Sequence, residues 1–276
     1  MSLTSQNDSR YTLMHHQMYD LHSHILPALD DGPKVIGDTM AMARFAAQQG
    51  TRVMVCTPHR KDVGENSSVD HVRDLVTGIN RDLDGEGVTL EFLVGMENHL
   101  DLDLPADLAS GKALPLNGTR YCLVELPFFG RPNYLEDVLF QIQLQGITPV
   151  LAHPERIEAV QNDVGLLAGF VERGMLSQVT AGSVVGHFGK KVRRITHSLL
   201  RQRLVHILAS DTHFPAGPRS PELREGVEAA ASIVGEAEAE AMVVDTPRRI
   251  VEDLPVEVEP PRREEGRGRR WFFFGR

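Results

Sequence analysis

A chain of 276 residues with 41% hydrophobic and 24% charged residues has the make-up of a folded globular protein with room for one large α/β domain or two small ones. Its formal net charge of −9 argues against a general nucleic-acid binder, and no apolar run approaches the roughly 20 residues of a membrane-spanning helix. The polar start, Met1 to Gln17, has no apolar stretch of the export-signal kind, and Cys56 and Cys122 each sit inside an apolar, strand-like run, which predicts buried thiols in a cytoplasmic protein rather than a disulfide framework.

Taken in order, the chain alternates short apolar runs with segments of helical periodicity. Residues 1–17, with His15-His16, read as a disordered leader. A first strand over Met18–Leu21 runs into Asp20-Leu21-His22-Ser23-His24. In an extended chain residues i and i+2 share a face, so His22 and His24 are able to aim at one point. A helix is predicted over Ile36–Gln49 and stopped by Gly50. A strand over Arg52–Cys56 leads to His59, a helix covers Val69–Leu83, and a strand over Thr89–Val94 leads to Glu97. His99 to Gly118 reads as irregular. A strand over Arg120–Val124 leads to Glu125, and a helix over Tyr134–Gln145 has Asn133 as its candidate N-cap. A strand over Thr148–Ala152 leads to His153, a helix covers Val164–Glu172, and a sixth strand covers Leu176–Thr180. A helix over Lys190–Arg203 is basic on its outer face. A strand over Val205–Ala209 leads to Asp211 and His213, and helices over Pro221–Val234 and Ala237–Leu254 close the domain.

Seven strands alternating with helices predict a parallel, closed sheet. Six of the seven finish in His, Asp or Glu: His22 with His24, His59, Glu97, Glu125, His153, and Asp211 with His213. Only the strand ending near Thr180 does not. In β/α barrels the C-terminal strand ends converge on one mouth. One such residue reads as a solvated loop side chain. Six strand ends carrying imidazoles and carboxylates read as a metal site, and with Asp31 the set exceeds what one ion holds, so it suits two or three divalent metals.

Asp20-Leu21-His22-Ser23-His24-Ile25-Leu26-Pro27, Asp30-Asp31-Gly32-Pro33, Thr57-Pro58-His59, Gly95-Met96-Glu97, the strand-end Glu125, His153-Pro154-Glu155-Arg156 and Ser210-Asp211-Thr212-His213 resemble, in order and spacing, the PHP (polymerase and histidinol phosphatase) superfamily. Within it they are most similar to the metal-dependent tyrosine phosphatases of bacterial capsule and exopolysaccharide gene clusters. The resemblance spans Asp20 to Leu254. It implies a single-domain, distorted seven-stranded (β/α)7 barrel over 18–254 with three divalent metal ions, Mn²⁺ with Fe²⁺ or Zn²⁺ as alternatives. It implies His22, His24, Glu97 and Asp211 around one metal, Glu97 bridging to a second held by Glu125 and His153, and Asp31, His59 and His213 around the third. Asp30 and Asp31 are not separable by sequence; the family pattern favours Asp31. Arg156 and Arg219 fall where the family binds phosphate. The implied activity is hydrolysis of phosphotyrosine on a protein substrate, the implied partner the tyrosine-rich tail of a bacterial tyrosine kinase.

The residues suit that chemistry. Divalent cations neutralise phosphate oxygens and lower the pKa of water. An aryloxide leaving group, with a pKa near 10, needs less acid assistance than an alkoxide. Phe128-Phe129 and Arg60-Lys61 follow strand ends and are candidates for holding the ring and the acidic flank of a peptide. A cysteine nucleophile is excluded by context: the residue six beyond Cys56 is Asp62 and six beyond Cys122 is Phe128, where a phosphate-cradling arginine is required. No GxxxxGK[ST] loop is present. The alternatives are a small-molecule phosphatase such as a histidinol-phosphate phosphatase, a phosphodiesterase or nuclease of the same superfamily, and a non-catalytic kinase-binding regulator. The tail, 255–276, reads as disordered, or as a basic-aromatic segment (Arg267, Arg269 and Arg270 before Trp271-Phe272-Phe273-Phe274) that docks on an anionic membrane surface or a membrane-bound kinase.

Overall fold

A computed structural model describes residues 17–262. The leader expected over 1–17, apart from Gln17, and the basic-aromatic part of the tail from Arg263 onward lie outside the described residues. Eight strands are interleaved with helices, with none between the third and fourth: β1 (Met18–Ser23), β2 (Thr51–Cys56), β3 (Glu91–Val94), β4 (Asn98–His99), β5 (Tyr121–Glu125), β6 (Thr148–Ala152), β7 (Leu176–Thr180) and β8 (Ile207–Ala209). All neighbouring strands are parallel. They form two sheets, ordered β1-β2-β3 and β4-β5-β6-β7-β8. Among the described residues there are thus eight strands in two parallel sheets within one α/β domain, one strand more than expected.

The extra strand has a local cause. The predicted third strand ends at Val94, but its chain runs on and changes partner. Gly95 and Glu97 donate their N–H groups to Cys56 O (3.0 Å) at the end of β2 and Pro58 O (3.2 Å) just after it, whereas Asn98 and His99 pair with Val124 and Glu125 of β5. Gly95 is where that crossing is tightest: a Cβ there would lie 2.8 Å from Val55 Cγ1 and 3.3 Å from Leu116 Cδ2. The opposite edges also approach, through the bridge between Ser23 and Thr212 and the bonds His24 N–H to Thr212 O (2.8 Å) and Asp211 N–H to His22 O (2.9 Å).

Helix α1 (Ile36–Gln49) has the predicted bounds, and Gly50, at φ +103°, closes it in the left-handed conformation. Helix α2 (Arg60–Asn66), directly after His59, was not expected. In α3 (Val69–Gly85) Ser68 caps the N-terminus by accepting from the His71 N–H. Helix α4 (Leu104–Ser110) lies inside the stretch read as irregular. Asn133 does not cap α5 (Leu135–Leu144): Tyr134 occupies the cap position and no side chain bonds there. Helices α6 (Glu158–Asn162), α7 (Val164–Glu172), α8 (Ala181–Val185), α9 (Lys190–Arg201) and α10 (Arg224–Val234) follow. The predicted last helix is split into α11 (Glu236–Ala241) and α12 (Asp245–Val251). At the break, Met242 O and Val243 O accept N–H groups of Leu208 in β8 and Tyr19 in β1 (3.1 and 2.7 Å), so sheet donors take the carbonyls that a continuous helix would use itself.

Strand alternation divides the core. Leu21, Val55, Leu123, Val150, Leu176 and Ile207 come from strands of both sheets and pack together between them. Their neighbours, such as Cys122, Val124, Leu151 and Leu208 on one sheet and Met54 and Cys56 on the other, face outward against helices, as a period of two requires. Residues 255–262 are irregular and hydrogen-bonded: Tyr121 Oη accepts from Val256 N–H (3.0 Å) and donates to Leu254 O (2.8 Å), and Arg262 N–H donates to Gln202 O (2.9 Å).

Replacing Gly95 by alanine forces a methyl against buried Val55 at the crossing between the sheets. The variant is expected to lose about 1–3 kcal/mol of stability, read as a lower urea midpoint; an unchanged midpoint contradicts the close packing there.

Candidate metal centre

The nine predicted ligands come together at the C-terminal ends of the strands. His22 lies in β1, His24 and Asp31 in the segment after it, His59 after β2, Glu97 between β3 and β4, Glu125 at the end of β5, His153 after β6, and Asp211 and His213 after β8. His22, His24, Glu97, His153, Asp211 and His213 are buried, whereas the Asp31 side chain is 56% exposed and that of His59 29%, so the cluster is deep with a rim.

Glu97 is its hub. One oxygen lies 2.9 Å from His153 Nε2 and 3.4 Å from His22 Nε2; the other lies 3.0 Å from His59 Nδ1 and 3.2 Å from His24 Nε2. Asp211 Oδ1 lies 3.5 Å from His22 Nε2 and 3.7 Å from His24 Nε2. Asp31 Oδ1 lies 3.0 Å from His213 Nε2 and 3.5 Å from His59 Nε2. Glu125 is the outlying member, 3.6 Å from His153 Nε2. Three sets have ligand atoms close enough to share an ion: His24, Asp31, His59 and His213; His22, His24 and Asp211; and His22, Glu97 and His153.

The donor chemistry fits divalent metal. His22 Nδ1 faces Gln178 Oε1 at 2.8 Å and His24 Nδ1 faces Asp30 Oδ2 at 2.7 Å. Both partners are acceptors, which puts each ring's proton on Nδ1 and leaves Nε2 free to ligate. The two Nε2 atoms are 3.1 Å apart, and two neutral lone pairs at that distance repel unless a proton or cation lies between them. Asp30 is also distinguished from Asp31: its oxygens accept from the N–H of Gly32 and of His59 as well as from His24, so it orients the ring, while Asp31 faces the cluster.

The electrostatics follow from burial and pairing. Burial would lower the pKa of His24, but Asp30 and Glu97 outweigh it and raise it to about 9. Burial likewise opposes His59, yet Asp31 and Glu97 raise it to about 11. Burial would raise Glu97 and Asp211, but the surrounding histidines, and for Asp211 also Arg156 and Arg219, hold both well below the ordinary carboxylate range. Asp20 stands outside the cluster, where burial raises it to about 6 against hydrogen bonds from Ser210 and His22.

The backbone is strained at two of these residues. His153 has φ +32° and Asp211 φ +52°, a left-handed conformation costing non-glycine residues about 1–2 kcal/mol, and Pro154 further disfavours it at His153. Strain of this kind gathers at functional sites.

Both predicted arginines face the cluster. Arg156 Nη1 donates to Asp211 Oδ2 at 2.8 Å, and Arg219 Nη2 lies 3.2 Å from Asp211 Oδ1. They line, with Asp31, His59, Glu97 and Glu125 among others, a cavity of about 310 Å³. Arg60 does not: it is 7% exposed and paired with Asp101 (2.6 Å) and Asp107, which corrects its reading as a contact for a peptide flank. Phe128 packs against His153, rings 5.5 Å apart and nearly parallel, while Phe129 is 84% exposed. Four neighbours escaped the sequence reading. Gln178 was legible as an amide inside an apolar strand. Glu155 is fully buried and accepts from Thr180 N–H and Ser183 Oγ, so it braces the loop. His99 lies 3.3 Å from Glu125. Phe188, in the cavity wall, had no signal. Both cysteines are free and buried, and burial pushes the Cys122 thiol up to about 12 and Cys56 well above its ordinary value.

In the chelated protein, the raised pKa values of His24 and His59 contribute stability that is complete below about pH 6.5, the unfolded histidine value. That contribution is lost as pH rises through the folded values. The melting temperature of chelated protein is therefore expected to fall between pH 6.5 and 9, and metal, which displaces those protons, is expected to flatten the profile. Differential scanning fluorimetry with and without chelator reads this; equal chelated melting temperatures at both pH values refute it.

Comparison with known proteins places this geometry in context. Residues 18–252 match the family model described as capsular polysaccharide synthesis, CpsB/CapC. The chain is 39% identical over 196 residues to the tyrosine-protein phosphatase YwqE of Bacillus subtilis, covering 71% of this chain and 77% of that one. It is 29% identical over 241 residues to the tyrosine-protein phosphatase CpsB of Streptococcus pneumoniae, covering 86% and 99%. The fold is similar to a crystal structure from a study of YwqE and CpsB from those two organisms, described as unique metal-dependent tyrosine phosphatases, with a TM-score of 0.82, 34% identity, and 89% of this chain and 98% of that chain covered. Dihydropyrimidinase from Brevibacillus agri, at 10% identity and a TM-score of 0.53, shares the fold alone.

Proposed function

The chain belongs to the CpsB/CapC family of capsular polysaccharide synthesis, and from that premise we propose that it is a metal-dependent phosphotyrosine-protein phosphatase. The observation that supports the reading is one cluster of imidazoles and carboxylates, of which Asp31, His59, Glu97, Glu125, His153 and Asp211 line a cavity together with Arg156 and Arg219. We read the substrate as the phosphorylated tyrosine-rich tail of a bacterial tyrosine kinase controlling capsule or exopolysaccharide export, and the setting as cytoplasmic. No described helix is long and apolar enough to cross a membrane; contact with the membrane surface would fall to the basic-aromatic tail. The two sheets are read as one distorted barrel over 18–254, a reading supported by the Ser23–Thr212 bridge at one seam and, at the other, by the chain that runs from the His59–Glu97 bridge directly into the pairing of β4 with β5.

The proposed ligands are His22, His24, Asp31, His59, Glu97, Glu125, His153, Asp211 and His213, holding three ions, with Mn²⁺ the favoured metal and Fe²⁺ or Zn²⁺ acceptable to the same N/O donors. When bound, such cations neutralise the charge of a phosphomonoester and lower the pKa of a water that attacks phosphorus. The chain's own residues set the geometry. Gln178 and Asp30 hold the rings of His22 and His24 with Nε2 inward. Arg156 and Arg219 present guanidinium donors to the phosphate oxygens, where charge-assisted and bidentate bonding is strong. Oxygens of Asp211 keep both arginines aimed at the cavity. The buried thiols have no place in this chemistry.

Stripping metal with chelator is expected to abolish hydrolysis of a phosphotyrosine peptide, and Mn²⁺ to restore it. Histidinol phosphate is expected to be the poorer substrate, and a thiol alkylator to have no effect. Activity that survives chelation but not alkylation overturns the mechanism; a strong preference for histidinol phosphate overturns the substrate.

Removing Arg156 as R156A is expected to lower kcat/KM about 10²–10³-fold, the cost of losing one donor to developing transition-state charge. His153→Ala is expected to abolish turnover with the circular dichroism spectrum intact; full activity in that variant removes His153 from the site.

A further inference from the structure

Among the side chains lining the cavity, two are apolar, and both are aromatic: Phe128 and Phe188. They come from different segments, the loop after β5 and the loop between α8 and α9. Both rings touch the same cation: the Arg156 guanidinium carbon lies 5.6 Å from the Phe128 ring centre and 5.1 Å from that of Phe188, within cation–π range. Phe128 also stacks on His153 with an interplanar angle of 14°.

Each ring is held by its backbone. Phe128 O accepts from the Glu158 N–H of α6 (3.0 Å), and Gly130 N–H donates to the Glu158 carboxylate (2.9 Å). Phe188 is bracketed by Gly186 and Gly189, both at positive φ. Its ring lies over Gly182, where a Cβ would come within 3.3 Å of Phe188 Cε2. Phe128 remains 39% exposed. Beyond its contacts with His153 and Arg156, Phe128 keeps part of its apolar surface open in the cavity wall, which matches a flat apolar ligand.

We propose that Phe128 and Phe188 form an aryl subsite beside Arg156, selecting phosphomonoesters whose leaving group is an aromatic ring. A phosphate held by Arg156 has its ester oxygen next to these two rings, and the adjoining aryl group stacks on them; an alkyl group offers no matching face. The inference rests on the phosphatase reading for its substrate, and the two are tested separately.

The test measures binding of phenylphosphonate and methylphosphonate, which cannot be hydrolysed, to Mn²⁺-loaded protein by calorimetry. The native protein is expected to prefer the phenyl compound by about three- to tenfold, the range of an aromatic pair. Phe188→Leu, which keeps apolar bulk but not the ring, is expected to abolish that preference, and Phe188→Tyr to retain it. With phenyl phosphate as substrate, F188L is expected to raise KM more than it lowers kcat, because the stacking is equal in ground and transition states. A preference that survives F188L, or a variant that loses kcat with the phenyl preference intact, overturns the subsite and leaves Phe188 as a support for Arg156. If the native protein hydrolyses no phosphomonoester, the phosphatase reading fails while the phosphonate measurement still decides the subsite.

Discussion

Two buried carboxylates hold this structure's working end together. Glu97 is approached by four imidazoles at 2.9–3.4 Å, and Asp211 by two guanidiniums and three imidazoles. A carboxylate removed from water costs several kcal/mol unless it is paired and hydrogen-bonded. Each therefore constrains every ring around it, and the rings in turn constrain the strand ends that carry them. Removing either acid would leave a cluster of like-charged or lone-pair-opposed nitrogens with nothing to organise them.

The same residues lie where the two sheets meet. At one seam the bonds run through His22 O, His24 N and Asp211 N; at the other they run through Glu97 O and the N–H of Arg60, next to His59. Bringing the two sheets together and assembling the ligand cluster are one structural event. This also locates the strain. The left-handed backbone at His153 and Asp211 is held in place by ion pairs with Glu97, Arg156 and Arg219, which offset the cost of the unusual conformation. The close approach at Gly95 belongs to the same crossing.

Around this core of charge the supporting shell is polar and specific rather than bulky. Gln178 and Asp30 fix two rings, Glu155 ties the loop after β6 to β7 and α8, and Phe128 and Phe188 flank Arg156. The cavity thus joins a strongly charged floor to an aromatic wall, a combination suited to a ligand that is anionic at one end and flat and apolar at the other.

What the sequence by itself determined was the periodic part and the ligand types. Short apolar strand runs, α1 with its glycine stop, and His, Asp and Glu at six strand ends were all legible, because period and residue chemistry are local properties. Tertiary structure alone decided what depends on partners far away in the chain. The break between β3 and β4 comes from a change of neighbouring strand. The split of α11 from α12 comes from sheet N–H groups claiming helix carbonyls. The burial of Arg60 comes from Asp101 and Asp107, and the roles of Asp30 and Asp31 from which histidines each one meets. Phe188 lies in a glycine-flanked loop whose residues carry no periodic signal, and it acquired its place beside Arg156 only when strands β6 and β7 and helix α9 packed side by side.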